Sequence, residues 1–282
     1  LPAVSGYFGG DAVAAAYAAG LNRTPDPTLM LDIGTNGEMA LAASGRILCC
    51  AAAAGPAFEG ANITCGMSGT TGAVCRVSLD AAGTLSYGVI GGGEARGICG
   101  SGLIDLLAAL LELGAVDETG RLLPPEETPA AAKPYIRMYI YNNPDGTVRS
   151  EPACFLTEDV FLTGRDVRAL QLAKAAIAAG IATMLDEAGI AAEDVAALVI
   201  AGGFGNTIQP VSAGRIGLIP PCLTEKTVFI GNGALTGASA ALCSESARTE
   251  IDHLSRRMTN VELSTDPRFM EHYIENMSFE PL

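Results

Sequence analysis

LMLDIGTNGEMALAASGRI, residues 29–47, sets two apolar runs around seven residues that hold two glycines, a threonine, an asparagine and two carboxylates. The runs read as strands and Gly34-Thr35-Asn36-Gly37 as the turn between them. A second turn at Ser44-Gly45-Arg46 leads into RILCCAAAA (46–54), so the stretch predicts a three-stranded antiparallel meander. The first turn admits another reading beside that of a plain hairpin. Glycines let backbone N–H groups approach an anion closely, so the loop can also cradle phosphate.

Upstream, GDAVAAAYAAG (10–20) reads as a small-residue helix, with Asp11 placed as N-cap and Gly20 as stop. Downstream, GPAFEGANITCGM (55–67) starts at a Gly-Pro breaker and predicts a helix or tight loop, followed by strands over 72–79 and 84–90. GICGSGLIDLLAALLELG (97–114) is a glycine-rich entry into a helix stopped by Gly114. Residues 120–160 are Pro-rich and strand-like, with a hairpin expected over PYIRMYIYNNPDGTVR. The longest helix falls at 163–189 with Thr163 as its cap. After it, DVAALVIAGGFGNTIQPVSAGRIG and KTVFIGNGALTGASAALC repeat one plan of apolar strand, glycine turn and helix. Strands this uniformly apolar are expected to run parallel, with helices on both faces. The predicted class is α/β: a mixed sheet in which an antiparallel hairpin joins parallel strands flanked by helices.

The chain of 282 residues is 49% hydrophobic with 34 glycines, enough for one large or two modest domains. Its net charge of −14 argues against a nucleic-acid surface or an anionic membrane and for a soluble, cytoplasmic protein. Eight cysteines, none in a C-x-x-C pair, read as buried reduced thiols rather than metal ligands or disulfides. His253 and His272 lie in a charged C-terminal stretch and are expected to be solvated. No apolar run reaches the ~18 residues that cross a bilayer, and no signal peptide opens the chain. A start at Leu1 leads to the expectation of a piece of a longer protein.

Open α/β sheets bind ligands at glycine turns on the carboxyl ends of strands, where N–H groups and helix N-termini favour anions. Four turns qualify: Asp32–Glu38, Gly97–Gly102, Gly202–Gly205 and Gly231–Gly233. Each alone is also an ordinary connection. Their order says more. DAVAAAYAAG, LMLDIGTNGEMAL, GPAFEG, LVIAGGFGNTIQP and GNGALTGASAAL, in that sequence over residues 1–245, resemble the second half of an actin-like, Hsp70-like, sugar-kinase-like ATPase, an RNase H-like lobe. More narrowly, DIGTNGE, AAGPAFEGANITCGM, GICGSGLIDLLA, DVRALQLAKAAI and LVIAGGFGN resemble the C-terminal domain of the ferredoxin-containing reductive activators of corrinoid-dependent enzymes.

That resemblance implies an ATPase lobe over 1–247, with a strand-rich insertion around 120–160, and a charged helical tail over 248–282. A [2Fe–2S] ferredoxin domain and a middle domain would lie upstream, outside this chain. It further implies ATP and Mg²⁺ as cofactors and a corrinoid protein or corrinoid-dependent methyltransferase as partner, together with the upstream domains and a homodimer. ATP would drive electrons from the iron–sulfur domain to a Co(II) corrinoid, returning it to Co(I). By the same resemblance Gly34, Thr35, Asn36 and Gly37 approach the nucleotide phosphates, and Asp32 holds hydrated Mg²⁺ or orients water, where its plain reading is a turn cap. Glu38 is either an outward strand residue or part of the metal shell. Glu59 either caps its helix or faces the cleft; with Asp32 it is the catalytic candidate. Gly202, Gly203 and Gly205 flank adenine and ribose with Phe204 as a wall, against the plain reading of an αβ turn with Phe204 in the core. Gln171 and Lys174 share a helix face with Arg168, either solvated or touching nucleotide. Gly100, Ser101 and Asn232 complete the nucleotide contacts, and Cys99 is a buried thiol or an activated thiolate.

Only one D-x-G-T hairpin is present. Since it follows the connecting helix, it corresponds to the phosphate-2 element, and the phosphate-1 element is expected upstream. This chain alone is then expected to bind nucleotide weakly and hydrolyse it negligibly, since phosphoryl transfer needs groups on both sides of the γ-phosphate. Two other classes compete: a docking or dimerisation module with a vestigial nucleotide site, and the lobe of a sugar or acid kinase.

Overall fold

The computed structural model describes residues 1–143, 145–203 and 208–279. Its elements in chain order are α1 (Gly10–Ala18), β1 (Thr28–Ile33), β2 (Gly37–Ala43), β3 (Arg46–Ala52), β4 (Ala73–Leu79), β5 (Leu85–Val89), β6 (Gly97–Ile98) and α2 (Gly100–Glu112). Then follow β7 (Ile136–Asn142), β8 (Val148–Phe155), β9 (Phe161–Thr163), α3 (Gly164–Ala188), β10 (Ala197–Ala201) and α4 (Pro210–Arg215). The last are β11 (Thr227–Gly231), α5 (Gly233–Cys243), α6 (Glu245–Arg257), β12 (Met258–Asn260) and α7 (Pro267–Glu275).

A six-stranded sheet of order β11-β10-β1-β2-β3-β12 forms the centre. β1 pairs antiparallel with β2 and parallel with β10, as the sequence suggested from the meander and the apolar αβ units. The alternation along β1 assigns its two faces. Leu29 and Leu31 join one core with Ile177 and Ile181 of α3, whereas Met30 joins a second core with Val13 of α1 and Ile251 of α6. Adjacent strand residues point to opposite sides, so this one strand is buried from both.

The six strands between β3 and α3 lie outside this sheet. β5-β4-β6 is one small sheet and β7-β8-β9 another, the latter built on the hairpin expected at 134–149. α3 is the longest helix, and its start is a capping box. The Thr163 amide donates to Asp166 Oδ2 (2.9 Å) and the Asp166 amide donates to Thr163 Oγ1 (3.3 Å). Asp166 Oδ1 also accepts from the amide of Thr64 (2.8 Å), which ties α3 to the 55–67 segment. Thr163→Ala is expected to cost about 2 kcal/mol, the upper end for a cap, because the hydroxyl is buried. Chemical denaturation checks this. A loss below a few tenths of a kcal/mol would mean that the cap contributes little here.

Several expectations change. Gly9, not Asp11, is the N-cap of α1, and Asp11 sits in the first turn with Oδ1 accepting from the Ala12 amide (2.9 Å). The segment from 248 onward is not only helical: β12 pairs parallel with β3 as an edge strand, and α7 packs on α3. The strand forms because Met258 is apolar and buried against the second core. His272 is not simply solvated. Its Nε2 lies 2.8 Å from Asp186 Oδ2 of α3, while His253 is exposed as expected. All eight cysteines are free; four are buried, three are half-buried, and Cys243 at the end of α5 is exposed. Burial pushes the Cys49 and Cys154 thiols up to about 12. Among the described residues one helix, Gly164–Ala188, is long and apolar enough to cross a membrane, and 78% of its apolar window is buried inside the fold. Arg165, Asp166, Arg168 and Lys174 interrupt its apolar run, which hides that property from a search for uninterrupted stretches.

Candidate functional site

The site is built at the carboxyl end of β1. Asp32 pairs with Glu38 across the hairpin, and Ile33 pairs with Gly37, leaving Gly34-Thr35-Asn36 as the turn; the Gly34 amide bonds Asn36 O (2.9 Å). The parallel neighbour brings Ala201 beside Asp32 and therefore Gly202 onto its carboxylate. A Cβ on Gly202 would lie 2.6 Å from Asp32 Oδ1, and its φ of +95° excludes other residues as well. The glycine turn and the first carboxylate are thus in direct contact.

A third segment reaches the same place. Pro56–Glu59 forms one turn of 3-10 helix that ends at Gly60 in the left-handed region. Glu59 closes this turn, and its Oε1 accepts from Thr35 Oγ1 at 3.0 Å. Glu59 thereby meets the β1–β2 turn. A cavity of about 360 Å³ beside it is lined by Glu59, Met67, Cys99, Gly100 and Gly203, among others. Asp32, Gly34, Thr35, Glu59, Gly100 and Gly203 are therefore gathered from four stretches of chain.

Asp11 is the residue that sequence reasoning missed, because it was read as a cap. Burial raises the Asp32 carboxyl above its usual range, and the charge of Asp11 raises it further. Glu38 is also raised, by burial first, with Asp32 and Asp11 adding to it. Three carboxylates thus crowd one sheet end, at the cost of mutual repulsion. The available signal was Gly9-Gly10 ahead of Asp11: a glycine can serve as N-cap, which frees the carboxylate for another role. Among the described residues no group of three or more His, Cys, Asp or Glu is close enough to hold a metal ion by itself. Mg²⁺ takes one or two carboxylates and fills the rest of its shell with water and substrate phosphate. The raised carboxyls are the observation that fits a cation here, since a nearby positive charge would relieve them.

Other candidates have different surroundings. Gly37 is a glycine because α3 crosses it: a Cβ there would lie 2.8 Å from Ile177 Cγ1. The Ser101 hydroxyl is fully buried and donates to Cys75 O (2.8 Å), so this residue has only its backbone to offer a ligand. Gly102 beside it lets α2 press on β4, where a Cβ would meet Val74 O at 2.2 Å. Cys99 is buried with Sγ 3.4 Å from Val74 O. Asn232 caps α5, its Oδ1 accepting from the Leu235 amide (2.8 Å). Phe204 and Gly205 lie outside the described residues.

Gln171 and Lys174 are not solvated. Both are almost fully buried under the C-terminal segment. Gln171 Nε2 donates to Thr119 O (2.9 Å) and to Met277 O, and its Oε1 accepts from Arg168 (2.8 Å). Lys174 Nζ donates to Ser278 O and lies 5.0 Å from the centre of the Phe279 ring. Burial lowers the lysine to about 8.

A mixed sheet with helices on both faces, a D-x-G-T hairpin at the end of its first strand and a glycine turn against the hairpin aspartate together define a lobe of the actin-like ATPase fold. The chain belongs to the family of C-terminal domains of RACo, the ASKHA domain, whose model it matches over residues 26–281. It is 36% identical over 291 residues to the corrinoid activation enzyme RamQ of Eubacterium limosum, a match covering 99% of this chain and 47% of that protein. It is 28% identical over 305 residues to the Co(II) methylated amine-specific corrinoid protein reductase of Methanosarcina barkeri, covering 99% and 51%. Among solved structures, a reductive activator for corrinoid, iron-sulfur protein superposes with a TM-score of 0.85 at 37% identity, over 99% of this chain and 44% of that one. The chain spans about half the length of the curated relatives it matches.

Proposed function

We propose that this chain is the nucleotide-binding lobe of an ATP-dependent reductive activator, which returns inactive Co(II) corrinoid proteins to Co(I) with electrons from an iron–sulfur domain elsewhere in the full protein. The observation that carries the reading is the meeting of the β1–β2 turn, Glu59 and Gly202–Gly203 around Asp32, in a chain whose relatives bear corrinoid-activator names. The turn amides of Thr35 and Asn36 bind phosphate oxygens, and the Thr35 hydroxyl joins them by turning from Glu59 to the phosphate. Asp32, with Glu38 and Asp11 behind it, would hold Mg²⁺, which would supply positive charge opposite the phosphates. Glu59 positions Thr35 and, with Asp32, orients the attacking water. Gly202 and Gly203 take the ribose side. A cytoplasmic setting accords with eight free thiols.

A second reading, a docking module, has support in the outer face of α5, where Leu235 and Leu242 are exposed at 62% and 88%. Calorimetry with ADP and a non-hydrolysable ATP analogue plus Mg²⁺, on this chain and on the chain extended upstream, separates the two. Tight binding by the extended chain and weaker binding by this one is the expected result, followed by Co(II) to Co(I) reduction of a corrinoid protein read from its visible spectrum. Failure of both chains to bind overturns the nucleotide reading in favour of docking.

A further inference from the structure

The course of α3 locates the base end of the cleft. At its carboxyl end Glu187 bonds Arg46 at the β2–β3 turn (3.1 Å), farther back Gly180 meets Met39, and Ile177 meets Gly37. The helix therefore runs antiparallel to β1, and going backward along it leads to the sheet edge that carries Asp32 and Gly202. Lys174 lies one turn beyond Ile177, about 4.5 Å further along the axis, and Gln171 a turn beyond that. Both lie further than Ile177 toward the sheet edge that carries the hairpin turn. The other wall is the chain leaving α4, because a Cβ on Gly217 would come within 3.3 Å of Lys174 Nζ.

What fills this place is the chain's own C-terminal segment. Met277 and Ser278 present carbonyl oxygens to Gln171 and Lys174, Phe279 presents its ring face to the ammonium, and the Phe279 amide bonds Glu118 O (2.9 Å). Lone-pair acceptors and an aromatic face are also what a nucleobase offers a lysine and a glutamine. No carboxylate is paired with Lys174 among the described residues, so a neutral, acceptor-rich ring is a suitable replacement for the segment. A cavity of about 450 Å³ adjoins the Phe279 ring, between Glu118, Thr119 and Arg215, and gives it room to leave.

We propose that Met277–Phe279 is a displaceable plug that competes with the nucleobase for Gln171 and Lys174, so that nucleotide binding and release of the C-terminal segment are coupled. The proposal rests on the nucleotide reading above. Coupling of this kind is reciprocal: whatever draws the segment away raises nucleotide affinity by the same factor with which nucleotide loosens the segment. A partner that engages the released segment would therefore load the site.

Hydrogen exchange and calorimetry on the 282-residue chain, with ADP and Mg²⁺ as probe, test this. In the wild type the Phe279 amide is expected to be protected without nucleotide and to exchange at least several-fold faster with it. Phe279→Ala, which removes the buried ring, is expected to bind ADP about tenfold more tightly, because less of the protein is held in the closed form. If Phe279→Ala does not fold, the wild-type exchange result decides by itself. Asp32→Asn separates the two ideas: it is expected to weaken ADP binding about 100-fold and leave Phe279 protected. ADP binding that depends on Asp32, with Phe279 protection unchanged and no gain in the alanine variant, overturns the plug and leaves the nucleotide reading standing. Absence of binding by the wild type and by Phe279→Ala alike, where the chain extended upstream binds, overturns the plug and leaves the nucleotide reading standing; absence of binding by the extended chain as well overturns both.

Discussion

Asp32→Asn is expected to weaken Mg²⁺–nucleotide binding by about 100-fold and to leave the fold at least as stable as before. The affinity figure corresponds to losing one charge-assisted interaction of about 2–3 kcal/mol. The stability argument follows from the direction of the shift. The folded Asp32 carboxyl is raised above its ordinary value of 3.8, by burial and then by Asp11. Protonation therefore contributes stability that is fully present below the unfolded value and is lost as pH rises through the folded one. At neutral pH the ionised group is a standing destabilisation, and Glu38 is shifted in the same direction. An amide removes that repulsion and keeps the shape, so the variant should melt no lower than wild type at pH 7.5. Wild type alone should gain stability on addition of Mg²⁺ and nucleotide. Thermal unfolding with and without ligand reads both halves. A variant that melts well below wild type, or that retains full affinity, would place the site elsewhere. The trade of stability for a crowded acidic edge is a common cost of binding sites.

Gly237→Val should be the most damaging single change in the helices. α5 crosses α1 at this point, and a Cβ on Gly237 would lie 2.1 Å from Ala14 O, 2.7 Å from its carbonyl carbon and 2.9 Å from its Cα. Those atoms are backbone of a helix buried from Ala12 to Ala16, so no rotamer change can make room. The expected loss is about 3–5 kcal/mol, in the range of severe overpacking, or roughly 10 °C in Tm for a chain near this size. Ser239→Val, two residues on at an exposed position of the same helix, should change stability by less than about 0.5 kcal/mol. Similar melting of the two variants would show that the helices do not cross at Gly237. Because α1 carries Asp11 toward the site, spreading this crossing should also cost nucleotide affinity in any folded remainder.

Local chemistry carried much of this architecture. β1 to β3 and their turns follow from alternation and glycine placement within some twenty-five residues, and α3 begins at Thr163 because its capping partner Asp166 is three positions away. The two αβ units at the end of the sheet were legible because their strands are apolar on both faces. The resemblance in motif order extended that reading to a family, which the match over residues 26–281 bears out.

Whatever depended on distant partners was not legible. Nothing beside Asp11 announces that it will face Asp32, and nothing beside Gly37 announces Ile177. Ser101 and Asn232 look like ligand residues until their hydroxyl and amide are found bonded to Cys75 O and to the amide of Leu235. Lys174 illustrates the limit best, since its carbonyl partner in Ser278 is 104 residues away. The sequence by itself determined the order of strands and helices, the turns that end them and the presence of a carboxylate-bearing glycine hairpin, because periodicity, caps and turns act between near neighbours. Only the tertiary structure decided which of those groups meet, that β12 joins the sheet, and that the C-terminal segment covers Gln171 and Lys174, because burial couples residues through the whole packed core.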